Sequence, residues 1–153
     1  MALPEFGIPP ENRSRNMRAI RSSGNVTTEK RLAALFKAHR IRGWRSQPPD
    51  ILGKPDFIIR RKHIIIFVDG CFFHGCPRCG HIPRTNRTYW AAKISRNIRR
   101  DQMISKRLRV LGYRVIRIWE CQLRENPNLC LGRVLRATRT RGMLTGKGAQ
   151  AKP

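Results

Sequence analysis

Two hydrophobic periods alternate along this chain, one helical and one extended. Between Thr27 and His39, the apolar residues Leu32, Leu35 and Phe36 recur at spacings of three and four, one face of a helix. Thr27 stands where it can cap that helix, and Glu29 in the first turn suits its positive end. Residues 43–54 are turn-rich, with a short strand around Trp44-Arg45-Ser46. Asp56-Phe57-Ile58-Ile59 and Ile64-Ile65-Ile66-Phe67-Val68 are short, largely β-branched runs either side of the basic turn Arg60-Arg61-Lys62, which predicts a buried β-hairpin. A long helix is predicted from Asn86 to Leu111, stopped by Gly112. Its inward stripe is Trp90, Ile94, Asn97 or Ile98, Asp101, Ile104 or Ser105, Leu108 and Leu111. Alternation from Tyr113 to Trp119 predicts a third main strand ending at Glu120-Cys121, and a last helix covers Asn128 to Ala137. The predicted fold class is α/β, a mixed sheet flanked by helices. Residues 1–12 read as a flexible N-terminal arm, 13–137 as a single domain and 138–153 as a basic flexible tail.

Charge narrows the partners. There are 33 Lys and Arg against 9 Asp and Glu, a formal net charge of +24. Such an excess repels itself in the compact state and calls for a polyanion, with nucleic acid first and an anionic membrane surface as the rival. No apolar run reaches the roughly 18 residues of a spanning helix. A hydrophobic content of 40% excludes a wholly disordered chain. A ribosomal or nucleoid protein that only binds would share the charge. Five cysteines, an odd count without a secretory signal, argue against a disulfide scaffold and for a cytoplasmic protein with metal-bound thiolates.

The chemistry concentrates between Pro55 and His81. Asp56 and Asp69 sit at hairpin ends that antiparallel pairing brings together, and paired carboxylates of this kind hold magnesium against a phosphate. Asp101 lies seven residues from both Ile94 and Leu108 on the apolar face of the long helix. It is either salt-bridged to an arginine or a site carboxylate facing the hairpin. Glu29 serves either the helix dipole or a site. Cys76-Pro77-Arg78-Cys79 is a C-x-x-C knuckle, with Cys71 upstream and Cys121 after a separate strand as partners for a closed, structural four-thiolate zinc site. His81 is the rival ligand and Cys130 a weaker one; a redox C-x-x-C is the other reading. His74 is open between zinc ligand and general base, with a carboxylate such as Asp101 orienting it. Phe72 and Phe73, with Met17 or Ile20 on a short basic helical turn, are either core residues or wedges between DNA base steps.

Six segments carry a resemblance: RSRNMRAIRSSG (13–24), TEKRLAALF (28–36), GKPDFIIRR (53–61), IIFVDGCFFHGCPRCG (65–80), PRTNRTYWAAKISRNIRRD (83–101) and LGYRVIRIWECQLR (111–124). Together they resemble the very-short-patch repair endonucleases, which nick DNA at T:G mismatches. The resemblance implies a restriction-endonuclease-like core of the PD-(D/E)xK type. It implies that Asp56 binds catalytic Mg2+, joined by the backbone carbonyl of Val68, and that Glu29 orients a water there. His74 would be the general base, Asp101 its carboxylate partner, and Phe72, Phe73 and Met17 the intercalating residues. Cys71, Cys76, Cys79 and Cys121 match the structural Zn2+ set. The implied activity is a magnesium-dependent, strand-specific nick 5′ to the T of a T:G mismatch left by deamination of 5-methylcytosine. The implied partner is double-stranded DNA, acted on by a monomer alongside mismatch-repair proteins and a cytosine-5 methyltransferase. The chain departs from the pattern in three places: a cysteine, Cys71, stands where the motif lysine would be; Asp69 stands where some members have His; and Phe73 stands where Trp is common. A related nicking or restriction enzyme with another DNA target, and a non-catalytic zinc-bearing DNA-binding protein, are the competing readings.

Overall fold

Four strands form one sheet in the order β1-β2-β3-β4: Trp44–Ser46, Phe57–Ile59, Ile64–Asp69 and Arg114–Trp119. The computed structural model describes residues 26–140, so Met17, Ile20, the N-terminal arm and most of the basic tail lie outside the described residues. β1 and β2 pair antiparallel, as do β2 and β3, whose register sets Phe57 opposite Ile66. The expected hairpin is therefore present, its turn a single 3-10 turn at Arg60–Lys62. β3 and β4 run parallel, with Asp69 opposite Trp119. Parallel neighbours need a long crossover, and the segment between them carries the cysteine-rich loop and the helix α2, Arg87–Val110.

β3 is an interior strand, and both of its faces are covered. That is why it reads as a continuous apolar run rather than an alternation. One face meets Leu32 and Phe36 of α1 (Val26–Ala38), Leu123 of α3 (Glu120–Glu125), and Leu131 and Val134 of α4 (Pro127–Arg139). Ile64, Ile66, Ile116 and Ile118 supply the sheet's side of that core. Phe36, Trp44 and Phe57 lock its edge with ring centroids 5.4 to 5.7 Å apart in edge-to-face contact. The opposite face packs Ile58, Ile65 and Phe67 against Leu108 and Ile104 of α2. The result is a mixed α/β sheet between two helical layers.

Three details differ from the pattern-based expectation. Leu111 is 61% exposed instead of closing the inward stripe of α2, because the helix ends at Val110 and the chain turns away at Gly112, where φ is +86°. The strand ending at Trp119 passes straight into α3, a helix that the hydrophobic pattern does not predict. Six residues are too few to display a helical period, although Leu123 within them is fully buried. The last helix also runs on through Arg139, two residues into the segment read as tail. Among the described residues, no helix is long and apolar enough to cross a membrane.

Candidate active site and metal centre

The parallel register of β3 and β4 builds the thiolate cluster. Cys71 and Cys121 each lie two residues beyond paired strand ends, so they leave the sheet side by side. The Cys121 amide donates to Cys71 Sγ at 3.3 Å. The knuckle adds Cys76 and Cys79, and its turn closes with the Gly80 amide donating to the Cys76 carbonyl at 2.8 Å. A Cβ at Gly80 would lie 2.5 Å from that oxygen, so the turn needs glycine. All four sulfurs lie within 4.8 Å of one another. The Cys76 and Cys121 sulfurs are 3.7 Å apart. A tetrahedron of bonds of about 2.3 Å requires sulfurs about 3.8 Å apart, so this donor set fits a tetrahedral, thiophilic ion such as zinc. Burial alone would push the Cys76 thiol up, but the Cys79 and Arg78 amides and the neighbouring thiols outweigh it and hold it down at about 7, ready to ionise for a metal. An exposed ion pair, Arg78 to Glu125 at 2.6 Å, ties the knuckle to α3. His81 stands outside the cluster, with its ring 5.8 Å from that of Phe72, and Cys130 is buried in the core.

Beside this loop lies a half-buried carboxylate. Pro55 is fully buried, and Asp56 follows it immediately before β2. The Asp56 amide donates to the Ile66 carbonyl at 3.1 Å, and its own carbonyl accepts from the Gln47 amide at 2.8 Å. Its side chain accepts from the Val68 amide at 2.6 Å. Burial pushes the Asp56 carboxyl up. The Val68 N–H opposes this, but Glu29 and Asp69 add negative charge nearby, and the carboxyl is raised to about 7. Glu29 comes from α1, where Gln47 Nε2 donates to Oε2 at 3.0 Å. Gln47 was not legible as a site residue: its sequence context, Ser46-Gln47-Pro48-Pro49, signals only a turn. At a φ of +46°, its amide donates to the Asp56 carbonyl and its side chain to Glu29.

The third component is an imidazole. His74 Nδ1 is 2.5 Å from Asp101 Oδ2. An ionised carboxylate only accepts, so Nδ1 carries a proton, and in the neutral ring that leaves the lone pair on Nε2. The loop comes this close to α2 because Gly75 (φ +64°) has no side chain: a Cβ there would lie 2.6 Å from Ile98. Asn97 Nδ2 donates to the Phe73 carbonyl at 3.0 Å and fixes the same loop. Burial raises the proton affinity of Asp101, but the hydrogen bond from His74 and the charge of Arg117 outweigh it and hold the carboxyl below its usual value. Asp101 thus meets an arginine, with Arg117 Nη2 at 3.4 Å, as well as the loop histidine.

Phe72 and Phe73 are both half-buried, with ring centroids 5.0 Å apart. Phe72 also meets Trp90 at 5.0 Å, Trp90 meets Tyr89 at 5.3 Å, and Lys93 lies over both of those rings. The pair is thus the tip of an aromatic row running onto α2. Asp69 connects the two acidic groups, adding charge beside Asp56 and lying 3.8 Å from His74 Nδ1.

A sheet whose end carries clustered carboxylates, a carboxylate-held imidazole and a thiolate cluster, in a chain of charge +24, has the parts of a metal-assisted nuclease. Residues 8–79 match the family model for DNA mismatch endonuclease Vsr. The chain is 39% identical to the DNA mismatch endonuclease Vsr of Escherichia coli (strain K12), over 76% of this chain and 74% of that protein. It is also 39% identical to the type II nicking enzyme V.NaeI of Lentzea aerocolonigenes, over 71% and 67% of the two chains. With V.NmeDIP, a type II nicking enzyme of Neisseria meningitidis serogroup C, it shares 38% identity over 86% and 89%. The chain belongs to the Vsr family and is a DNA endonuclease of the nicking type.

Proposed function

We propose that this endonuclease is magnesium-dependent and strand-specific, and that it cuts the phosphodiester 5′ to the T of a T:G mismatch left by deamination of 5-methylcytosine. The observation that carries the reading is that the Asp56–Glu29 carboxylates and the His74–Asp101 pair share one neighbour, Asp69, which adds charge beside Asp56 and lies 3.8 Å from His74 Nδ1. Glu29 adds negative charge beside the half-buried Asp56 carboxyl, a repulsion that a divalent cation relieves, which supports Asp56, with the Val68 carbonyl, as the Mg2+ site. When bound, the ion supplies charge stabilisation to the phosphate in the transition state. Glu29, held by Gln47, orients the attacking water. His74 takes that water's proton at Nε2, and Asp101 stabilises the resulting imidazolium through Nδ1. The four thiolates hold a structural Zn2+ that keeps the His74 loop rigid.

In this reading, Pro55-Asp56 just before β2 marks a PD-(D/E)xK core without its lysine, since Cys71 occupies that place among the zinc ligands. Residues 13–137 form the working domain, acting as a monomer in the cytoplasm. Phe72 and Phe73, with Met17 from the N-terminal segment, wedge beside the mismatch, where unstacking costs least. The arginines and lysines give sequence-blind affinity for the duplex. The names of several relatives, type II nicking enzymes, favour a second reading in which a different target is nicked. Single-turnover nicking with Asp56→Ala and His74→Ala tests the catalytic assignment. Each should slow cutting by at least about 100-fold while leaving duplex affinity within a few-fold. Cutting at the unaltered rate by either variant would remove that residue from the mechanism.

A further inference from the structure

Asp69 is a buried carboxylate that the mechanism above does not use. It is 2% exposed, at the end of β3, on the same side of that strand as Phe67. Both of its oxygens are taken by one partner: Arg117 Nε and Nη2 each donate to it at 2.6 Å. Arg117 pairs with Phe67 in the β3–β4 register and lies across that ring, 4.7 Å from its centroid, to reach Asp69. Its remaining N–H groups turn to α2, where Nη1 donates to Ser105 Oγ at 3.2 Å and to the Asp101 carbonyl at 3.4 Å. Nη2 also sits 3.4 Å from Asp101 Oδ2, the oxygen that His74 holds.

We propose that Arg117 and Asp69 form a positioning pair that fixes Asp101, and through it the His74 ring, in the orientation that leaves Nε2 free to accept a proton. The proposal rests on the reading of His74 as general base. His74 Nδ1 has two carboxylates within reach, Asp101 at 2.5 Å and Asp69 at 3.8 Å. A guanidinium is a planar fork that grips one carboxylate with two parallel bonds. By engaging both oxygens of Asp69, Arg117 leaves Asp101 as the acceptor for Nδ1–H. By bonding two points on α2, it also sets where along the helix Asp101 stands. Asp69 thereby serves the imidazole through Arg117 and is not a metal ligand. Removing Arg117 alone leaves two carboxylates competing for one imidazole. Removing both charges of the pair restores the original balance around His74.

The test uses the zinc-bearing full chain. Arg117→Gln should slow single-turnover nicking at least about 100-fold, with duplex Kd and unfolding midpoint little changed. Asp69→Asn/Arg117→Gln should recover at least about tenfold over Arg117→Gln, the non-additivity of residues acting as a unit. Arg117→Lys keeps the charge without the fork, and should lose at least about tenfold, which decides the matter even where Arg117→Gln fails to fold. Half-saturating Mg2+ should be unchanged in Asp69→Asn. Without Mg2+, 15N spectra of His74 at high pH should show the Nδ1–H tautomer in the wild type and a mixture in Arg117→Gln. Wild-type rates in Arg117→Lys, a double variant no faster than Arg117→Gln, or a large rise in the Mg2+ requirement of Asp69→Asn would overturn the proposal. If the wild type nicks no duplex, the catalytic reading of His74 falls, while the tautomer spectra still decide whether Arg117 orders the ring.

Discussion

Replacing Asp56 by Asn should make the fold more stable while abolishing nicking. In the folded chain the Asp56 carboxyl is raised from 3.8 to about 7, first by burial and then by Glu29 and Asp69, with the Val68 amide opposing. The native state therefore holds this proton more tightly than the unfolded state does. Stability is full below about pH 4, where both states are protonated, and falls as pH climbs through 7. Above that, the folded chain carries a half-buried carboxylate beside two others. The interval from 3.8 to about 7 corresponds to about 4 kcal/mol at most. Asn removes the charge and keeps an oxygen for the Val68 N–H, so roughly 2 to 4 kcal/mol should be regained at pH 8.5. Urea unfolding of the zinc-bearing protein without magnesium measures it directly. The gain should vanish by about pH 4, and adding Mg2+ should stabilise the wild type more than the variant. An Asp56→Asn protein no more stable than wild type at pH 8.5 would refute the reasoning. Such a result would mean that the site carries no stored repulsion for a cation to relieve.

Cys121→Ser should leave three thiolates, lower the zinc content measured by mass spectrometry from one ion per chain, and cost several kcal/mol of stability. Gly75→Ala drives a methyl into Ile98 at a positive φ, so the loop must move. Nicking should fall by at least about tenfold with zinc still bound, because a small misplacement of the imidazole is costly to rate. Duplex affinity should fall steeply between 50 and 200 mM salt, by roughly a thousandfold or more, if six or more phosphates are contacted.

The frame was legible where period and punctuation agree. The β-branched runs around Arg60–Lys62 gave the hairpin, the three-and-four spacing gave α1 and α2, and C-x-x-C with two further cysteines gave the thiolate cluster. Asp101 was visible as an acid on an apolar stripe, and its juxtaposition with His74 is what that misplacement signalled. The supporting residues were not legible. Arg117 looks like any polar position in an alternating strand, and only the parallel register of β3 and β4 shows that it spans Asp69 and α2. Gln47 is hidden in a proline-rich turn, since its contact with Glu29 crosses 18 residues that no local pattern relates. α3 is too short to announce itself, and Leu111 fits the helical stripe but falls just past the last turn.

The central claim, mismatch-directed nicking, is tested most directly on one pair of strand-labelled duplexes that differ only in carrying T:G or T:A, incubated with magnesium across several flanking sequences. The account predicts a single cut 5′ to the T in the mismatched duplex, and an intact T:A control. Equal cutting of both duplexes, or tight binding with no cut at any flanking sequence, would contradict it.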